Sequence, residues 1–184
     1  MKAPLLRNTE NILRAGGIGV MPTDTIYGLL GSALNKKTVA KIYKLRRRNT
    51  KKPLIVLIGS ATDLEIFGIK PEATTKRLLK KFWPGKTSII LSCRAKKFTY
   101  LHRGAKTLAF RLPKTFWLRK LLVKTGPLVA PSANWEGELP ALTINDAKKY
   151  FDSQIDFYIN AGKIIGKPSR LIKINSGKIT VLRK

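Results

Sequence analysis

Between Gly31 and Pro53 the chain carries nine basic side chains, Lys36, Lys37, Lys41, Lys44, Arg46, Arg47, Arg48, Lys51 and Lys52, and no acid. Guanidinium forks grip phosphate oxygens through two parallel hydrogen bonds, and ammonium groups add compact charge, so such a tract is suited to clamping a polyphosphate. A solvated helix face has the same composition. The abrupt junction with Pro53-Leu54-Ile55-Val56 favours the clamp, because a buried strand would hold the neighbouring bases rigidly. Val129-Ala130-Pro131-Ser132-Ala133-Asn134 is a strand running into a turn of small hydrogen-bonding residues, a place for ligand contacts or an ordinary turn. In Thr107-Leu108-Ala109-Phe110-Arg111 the two-residue period of a strand puts Thr107, Ala109 and Arg111 on one face. Arg111 could pair a carboxylate there, or be a plain surface arginine.

Three familiar motifs fail. Gly85-Lys86-Thr87 would end a phosphate loop only with glycine at position 80, which holds Lys80. Gly17-Ile18-Gly19 would open a dinucleotide fingerprint, but Pro22 stands at the third glycine and a strand, not a helix, begins there. Ser132 lies in Pro-Ser-Ala-Asn rather than G-x-S-x-G, and His102 has no nearby acid, so serine hydrolase chemistry is not expected and His102 is read as a surface or loop residue. With one cysteine, Cys93, and one histidine, neither an internal disulfide nor a Cys/His metal site can be assembled.

The elements that position these groups follow from periodicity. Thr9 to Ala15 reads as a short helix with Thr9 as N-cap and Gly16-Gly17 as its stop. Ile18 to Met21 is a buried strand that hands over to a loop at Pro22-Thr23-Asp24-Thr25, and loops at strand ends often hold ligands. Thr38 to Arg48 is a basic amphipathic helix, and Leu54 to Ile58 a strand buried on both faces. Helices are expected over Glu72 to Phe82, Phe116 to Val123 and Ile144 to Phe151, the last capped by Thr143. Strands are expected at Ser88 to Leu91, Leu108 to Arg111, Leu128 to Ala130, Phe157 to Ile159, Leu171 to Ile174 and Ile179 to Leu182. Helices mixed with strands imply an open α/β sheet with helices packed on it, and no repeat or linker divides residues 1–184, so one domain is expected.

Composition narrows the partners. An apolar share of 43% is that of a globular chain. No apolar run approaches the roughly 20 residues that span a bilayer, and Met1 to Arg7 lacks the apolar region of a signal peptide, which points to the cytoplasm and away from membranes. Against 37 Lys and Arg stand 10 Asp and Glu, a formal net charge of +27. That field attracts polyanions, whether nucleic acid, nucleotides or anionic surfaces, unless it serves solubility alone.

Taken in order, Pro22-Thr23-Asp24-Thr25-Ile26-Tyr27-Gly28-Leu29, Arg46-Arg47-Arg48 followed by Pro53-Leu54-Ile55-Val56, Trp83-Pro84-Gly85, Ala109-Phe110-Arg111-Leu112-Pro113 and Pro131-Ser132-Ala133-Asn134 resemble the YrdC family, and Pro168-Ser169-Arg170-Leu171-Ile172 resembles its final ligand loop. The likeness runs from about Thr9 to the C-terminus and is to the short, single-domain form. It implies an open, twisted, mixed sheet with flanking helices and a concave basic surface. It also implies L-threonylcarbamoyladenylate synthesis: L-threonine and bicarbonate or CO2 form a carbamate that attacks the α-phosphate of ATP, and pyrophosphate leaves. Partner proteins would then transfer the threonylcarbamoyl group to adenosine 37 of tRNAs reading ANN codons. By the same resemblance Arg46 and Arg48 serve catalysis. Thr25, Tyr27, Arg111, Ala130 and Ser169 surround threonine, and Arg48, Lys52, Thr107, Ser132, Asn134 and Pro140 contact ATP. Mg2+ is expected to be held by the phosphates rather than by a protein metal site. Two positions depart from the family: Arg46-Arg47-Arg48-Asn49 replaces the usual Lys-x-Arg-Pro, and Leu57 stands where two-domain relatives commonly have histidine. The rival expectation, from charge, is a non-enzymatic module binding tRNA or double-stranded RNA directly.

Overall fold

The computed structural model of the chain describes residues 3–175 and 177–184. In chain order its elements are α1 (Ala3–Arg14), β1 (Ile18–Pro22), β2 (Tyr27–Ser32), α2 (Lys36–Leu45), β3 (Ile55–Leu57), α3 (Ala73–Phe82), β4 (Thr87–Ser92), α4 (Thr99–His102), β5 (Thr107–Arg111), α5 (Phe116–Thr125), β6 (Leu128–Val129), α6 (Ile144–Phe151), β7 (Phe157–Tyr158), β8 (Arg170–Asn175) and β9 (Lys178–Arg183). The strands form one sheet in the order β7-β1-β2-β6-β3-β5-β4-β8-β9. Neighbours β1/β7, β3/β5 and β4/β8 run parallel and the remaining neighbours antiparallel, which is the mixed, open α/β sheet expected.

Alternate residues of the central strands enter different cores. Val20, Leu29, Val56, Phe110, Ile89 and Val129 pack with Val39, Ile42 and Tyr43 of α2, Leu79 of α3, Leu101 of α4 and Ala147 and Phe151 of α6. Their chain neighbours Met21, Leu30, Leu57 and Leu128 pack with Leu13 of α1 and Leu118, Leu121 and Leu122 of α5. A two-residue period makes these the two faces of the sheet, each closed by helices, with every fully buried Leu, Ile or Phe contributing about 1.5–3 kcal/mol. Cover on the second face is partial. Ile55, Ile90, Thr107 and Ala109, which share it by register, stay half-buried. The uncovered stretch of β3, β5 and β4 is the floor on which a site can be built.

Some boundaries differ from the sequence reading for identifiable reasons. The first helix starts at Ala3 rather than after Thr9, since Pro4 in the first turn has no hydrogen bond to lose there; Thr9 is a buried residue inside it, not its cap. α2 stops at Leu45, and the three arginines expected at its end occupy the turn that terminates it. Arg47 adopts φ 49°, Arg48 N donates to Tyr43 O at 3.0 Å and Arg47 N to Lys44 O at 3.0 Å, the paired bonds of a helix C-terminus closed by a left-handed residue. His102 is buried, not on the surface, and its Nδ1 accepts from Gly104 N.

Candidate functional site

The β1–β2 connection is a hairpin loop of Thr23 to Ile26, tied by its own hydroxyls. Thr23 Oγ1 donates to Ile26 O at 2.7 Å and receives Thr25 N at 3.2 Å, with Thr25 Oγ1 3.0 Å away. This fixes Thr25 and Asp24 over the end of β5, where Arg111 emerges. Arg111 is 4% exposed. Its Nη2 lies 3.1 Å from Asp24 Oδ1, outside hydrogen-bond angles, so that Arg111 Nε and both Asp24 carboxylate oxygens have no hydrogen-bonding partner among the described residues. Burial pushes the Arg111 guanidinium below its ordinary value and Arg183 acts the same way, while Asp24 opposes them. A buried donor without an acceptor costs about 1–3 kcal/mol, and is well placed to meet a ligand carboxylate.

Arg111, Thr23, Thr25, Gly28, Ile55, Ala130, Ser132, Ser169 and Arg183 all line one open cleft. Ser169 bonds Ser88 Oγ at 2.8 Å, and Arg183 of β9 donates from Nε to Ser169 O at 2.9 Å and from Nη2 to Ser169 Oγ at 3.3 Å. Tyr27 also lines the cleft, but its hydroxyl is spent on the segment behind it, donating to Gly162 O and accepting from Ala161 N, both at 2.8 Å.

A second group of polar residues gathers at the opposite end of the strands. β3 and β5 are parallel with Ile55 beside Ala109, and β6 runs against β3 with Ala130 N donating to Ile55 O at 3.0 Å. Thr107 opens β5 four residues before Arg111, about 13 Å away at the rise of a strand, while Ser132, which bridges Gly28, lines the cleft between them. Arg48 is pinned to this end, donating from Nε to Lys52 O at 3.3 Å and from Nη2 to Pro53 O at 3.1 Å. Arg46 turns inward and is 3% exposed. Its Nε donates to Asn134 O at 2.9 Å, and its Nη2 to Asn134 Oδ1 at 3.1 Å and Ser132 Oγ at 3.2 Å. Burial first, and Arg48 second, bring its pKa down to about 10 against the pull of Glu136, leaving it charged at neutral pH. Pro140 stands in the loop that returns to this turn, where Ala141 N donates to Ala133 O at 3.1 Å.

Thus Thr25, Tyr27, Arg111, Ala130, Ser132 and Ser169 line one cleft, Arg46 reaches its wall through Ser132 and Asn134, Arg48 and Lys52 sit at the turn beside Pro53, and Thr107 stands at the other end of β5 from Arg111. Three participants escaped the sequence reading. Asp24 was seen only as part of a loop, and nothing local marks it as the partner of Arg111. Arg183, one cation among 37 Lys and Arg, is placed by the β8–β9 hairpin. Glu136 reaches into the cationic tract from the far side of the chain: Oε1 lies 3.0 Å from Lys52 Nζ and 3.8 Å from Arg48 Nη1, and Oε2 accepts from Asn49 N at 2.5 Å. The Asn49 N–H first, and then Lys52 and Arg48, hold its carboxyl below the usual carboxylate range.

The Sua5_yciO_yrdC family model, described as telomere recombination, matches residues 11–184. A protein of Methanocaldococcus jannaschii is 33% identical over 171 residues, covering 92% of this chain and 80% of that protein. The threonylcarbamoyl-AMP synthase of Bacillus subtilis is 33% identical over 162 residues, covering 86% of this chain and 46% of that protein. The crystal structure of Pyrococcus abyssi Sua5 complexed with L-threonine superimposes with a TM-score of 0.87 at 28% identity, covering 100% of this chain and 54% of that one. The chain spans about half the length of the last two proteins.

Proposed function

The chain belongs to the Sua5/YciO/YrdC family, and from that membership and the two-ended cleft we propose that it is an L-threonylcarbamoyladenylate synthase. The observation that carries the reading is the pairing of a buried arginine, with Nε unspent, at one end of an apolar sheet floor with a fixed cationic turn at the other. Arg111, Thr25 and Ser169 receive the carboxylate and hydroxyl of L-threonine. Arg48 and Lys52 receive the triphosphate, with Thr107, Ser132 and Pro140 beside the nucleotide and Ile55 and Ala109 beneath it. Arg46 and Asn134 brace the turn that carries Ser132.

In this reading the amine of threonine forms a C–N bond with bicarbonate, losing water, or with CO2, losing a proton, to give a carbamate. A carbamate oxygen attacks the α-phosphorus, the bond to the bridging oxygen breaks, and pyrophosphate leaves with the electron pair. The residues at hand supply positioning and cationic neutralisation of the charge that grows on the departing phosphates. Mg2+ would come bound to the ATP phosphates, where it would help neutralise their charge. The product serves threonylcarbamoylation of adenosine 37 in tRNAs reading ANN codons, through separate transfer proteins in the cytoplasm. Among the described residues no helix is long and apolar enough to cross a membrane.

The test is pyrophosphate release from MgATP with L-threonine and bicarbonate added singly and together. Release that requires both is the expected result. Absence of release, alongside tight and strongly salt-dependent binding of tRNA, would replace the enzyme with the RNA-binding module that a net charge of +27 also fits.

A further inference from the structure

The cationic turn already holds an anion. Glu136 offers it two carboxylate oxygens, and the donors it engages, the Asn49 N–H, Lys52 Nζ and Arg48 Nη1, are the kinds that grip a phosphate: a backbone amide, an ammonium and a guanidinium. Among the ion pairs of the described residues, Glu136 is the only acid that reaches the tract between Gly31 and Pro53. We propose that Glu136 is a built-in competitor of the triphosphate: its carboxylate occupies the clamp until ATP displaces it, and so sets the affinity for ATP. This role rests on reading residues 46–52 as the phosphate clamp.

Two features separate a displaceable competitor from a structural tie. The turn is held without the carboxylate, by Arg48 N to Tyr43 O, by Arg48 to the carbonyls of Lys52 and Pro53, and by Glu136's own backbone N–H to Arg46 O at 2.8 Å. The carboxylate can therefore leave while the backbone of both loops stays in register. The side chain is also partly solvent-exposed, at 23%, so it has somewhere to go, and a partly exposed ion pair is worth little enough to be exchanged for a more highly charged ligand.

Glu136→Gln keeps the shape and an oxygen acceptor for the Asn49 N–H but removes the charge. It should lower the KM for ATP about two- to fivefold, the factor expected of a partly exposed ion pair, with kcat and the threonine KM unchanged. Inorganic tripolyphosphate, titrated calorimetrically, should bind the variant tighter by a similar factor, and adenosine should bind both forms alike. Glu138→Gln makes the same change of net charge at an exposed position two residues on and should leave tripolyphosphate affinity where it was. Unchanged or weaker tripolyphosphate binding by Glu136→Gln would overturn the proposal, as would equal tightening by Glu138→Gln. If wild-type protein shows no threonine-dependent pyrophosphate release while Glu136→Gln still tightens tripolyphosphate, the competitor stands and the synthase reading falls.

Discussion

Arg111 and Asp24 bury opposite charges, at 4% and 2% side-chain exposure, in an ion pair that leaves Nε and both carboxylate oxygens without hydrogen bonds. Removing one member of such a pair strands the other and costs about 3–5 kcal/mol, so Arg111→Ala would confuse folding with binding. Arg111→Lys retains the charge facing Asp24 but not the planar fork. It should fold, raise the threonine KM about tenfold or more, and leave the ATP KM nearly unchanged. Equal loss at both substrates, measured in the pyrophosphate assay, would place Arg111 elsewhere in the reaction. Arg46 argues differently. Its guanidinium spans Asn134 O, Asn134 Oδ1 and Ser132 Oγ, three acceptors that one ammonium cannot reach in the same geometry, so arginine in place of the family's usual lysine brings a brace as well as a charge. Arg46→Ala should cost about 1–3 kcal/mol in urea unfolding by leaving those acceptors bare, and should lower kcat through a loosened Ser132 turn. Arg46→Lys should recover part of the rate but little of the stability.

At the scale of elements, the site depends on where helices and strands end. Thr143 caps α6 by accepting Asp146 N while Asp146 accepts Thr143 N, a reciprocal box; Thr143→Ala should cost about 1 kcal/mol and lower Tm by about 2–4 °C without changing either KM, and a scanning calorimeter with the same activity assay checks both halves. That cap was legible in the sequence because its partners are three residues apart. The starts of the strands other than β2 were legible to within a residue, since apolar runs mark them. β2 was not: Tyr27 to Ser32 is buried on both faces and interrupted by two glycines, which removes the alternation that identifies a strand. The glycine at 31 has a packing cause, because a Cβ there would meet Thr38 Cγ2 at 2.5 Å. The motif-bearing loops supplied candidate residues, but not how these are distributed along the cleft, which follows from β3 and β5 lying parallel with β6 against them. Nor could a tract with nine bases and no acid reveal its counter-ion, because Glu136 reaches Lys52 from 84 residues along the chain. Contacts of that separation are set by topology, and spacing carries no trace of them.

The molecule as a whole carries +27, and its cations are spread over every helix but the short α4 rather than confined to the cleft. Few are paired: Glu10, Asp24, Glu136 and Asp146 account for the ion pairs seen among the described residues. Folding gathers the unpaired charges within a compact volume, and their mutual repulsion opposes the compact state. Added salt shortens the reach of that repulsion from about 10 Å at 0.1 M to a few ångströms near 1 M, whereas the buried Arg111–Asp24 pair is screened far less. Raising NaCl from about 0.05 M to about 0.5 M should therefore raise Tm by roughly a few degrees, the opposite of what a fold held by surface ion pairs would show. Tripolyphosphate should stabilise at far lower concentration than chloride, and by an increment that Arg48→Ala removes, because it adds binding at the clamp to general screening. A Tm that falls with NaCl would mean that the pairs outweigh the repulsion. Equal potency of chloride and tripolyphosphate, at matched ionic strength, would leave residues 46–52 as a solvated helix terminus with no preference for phosphate.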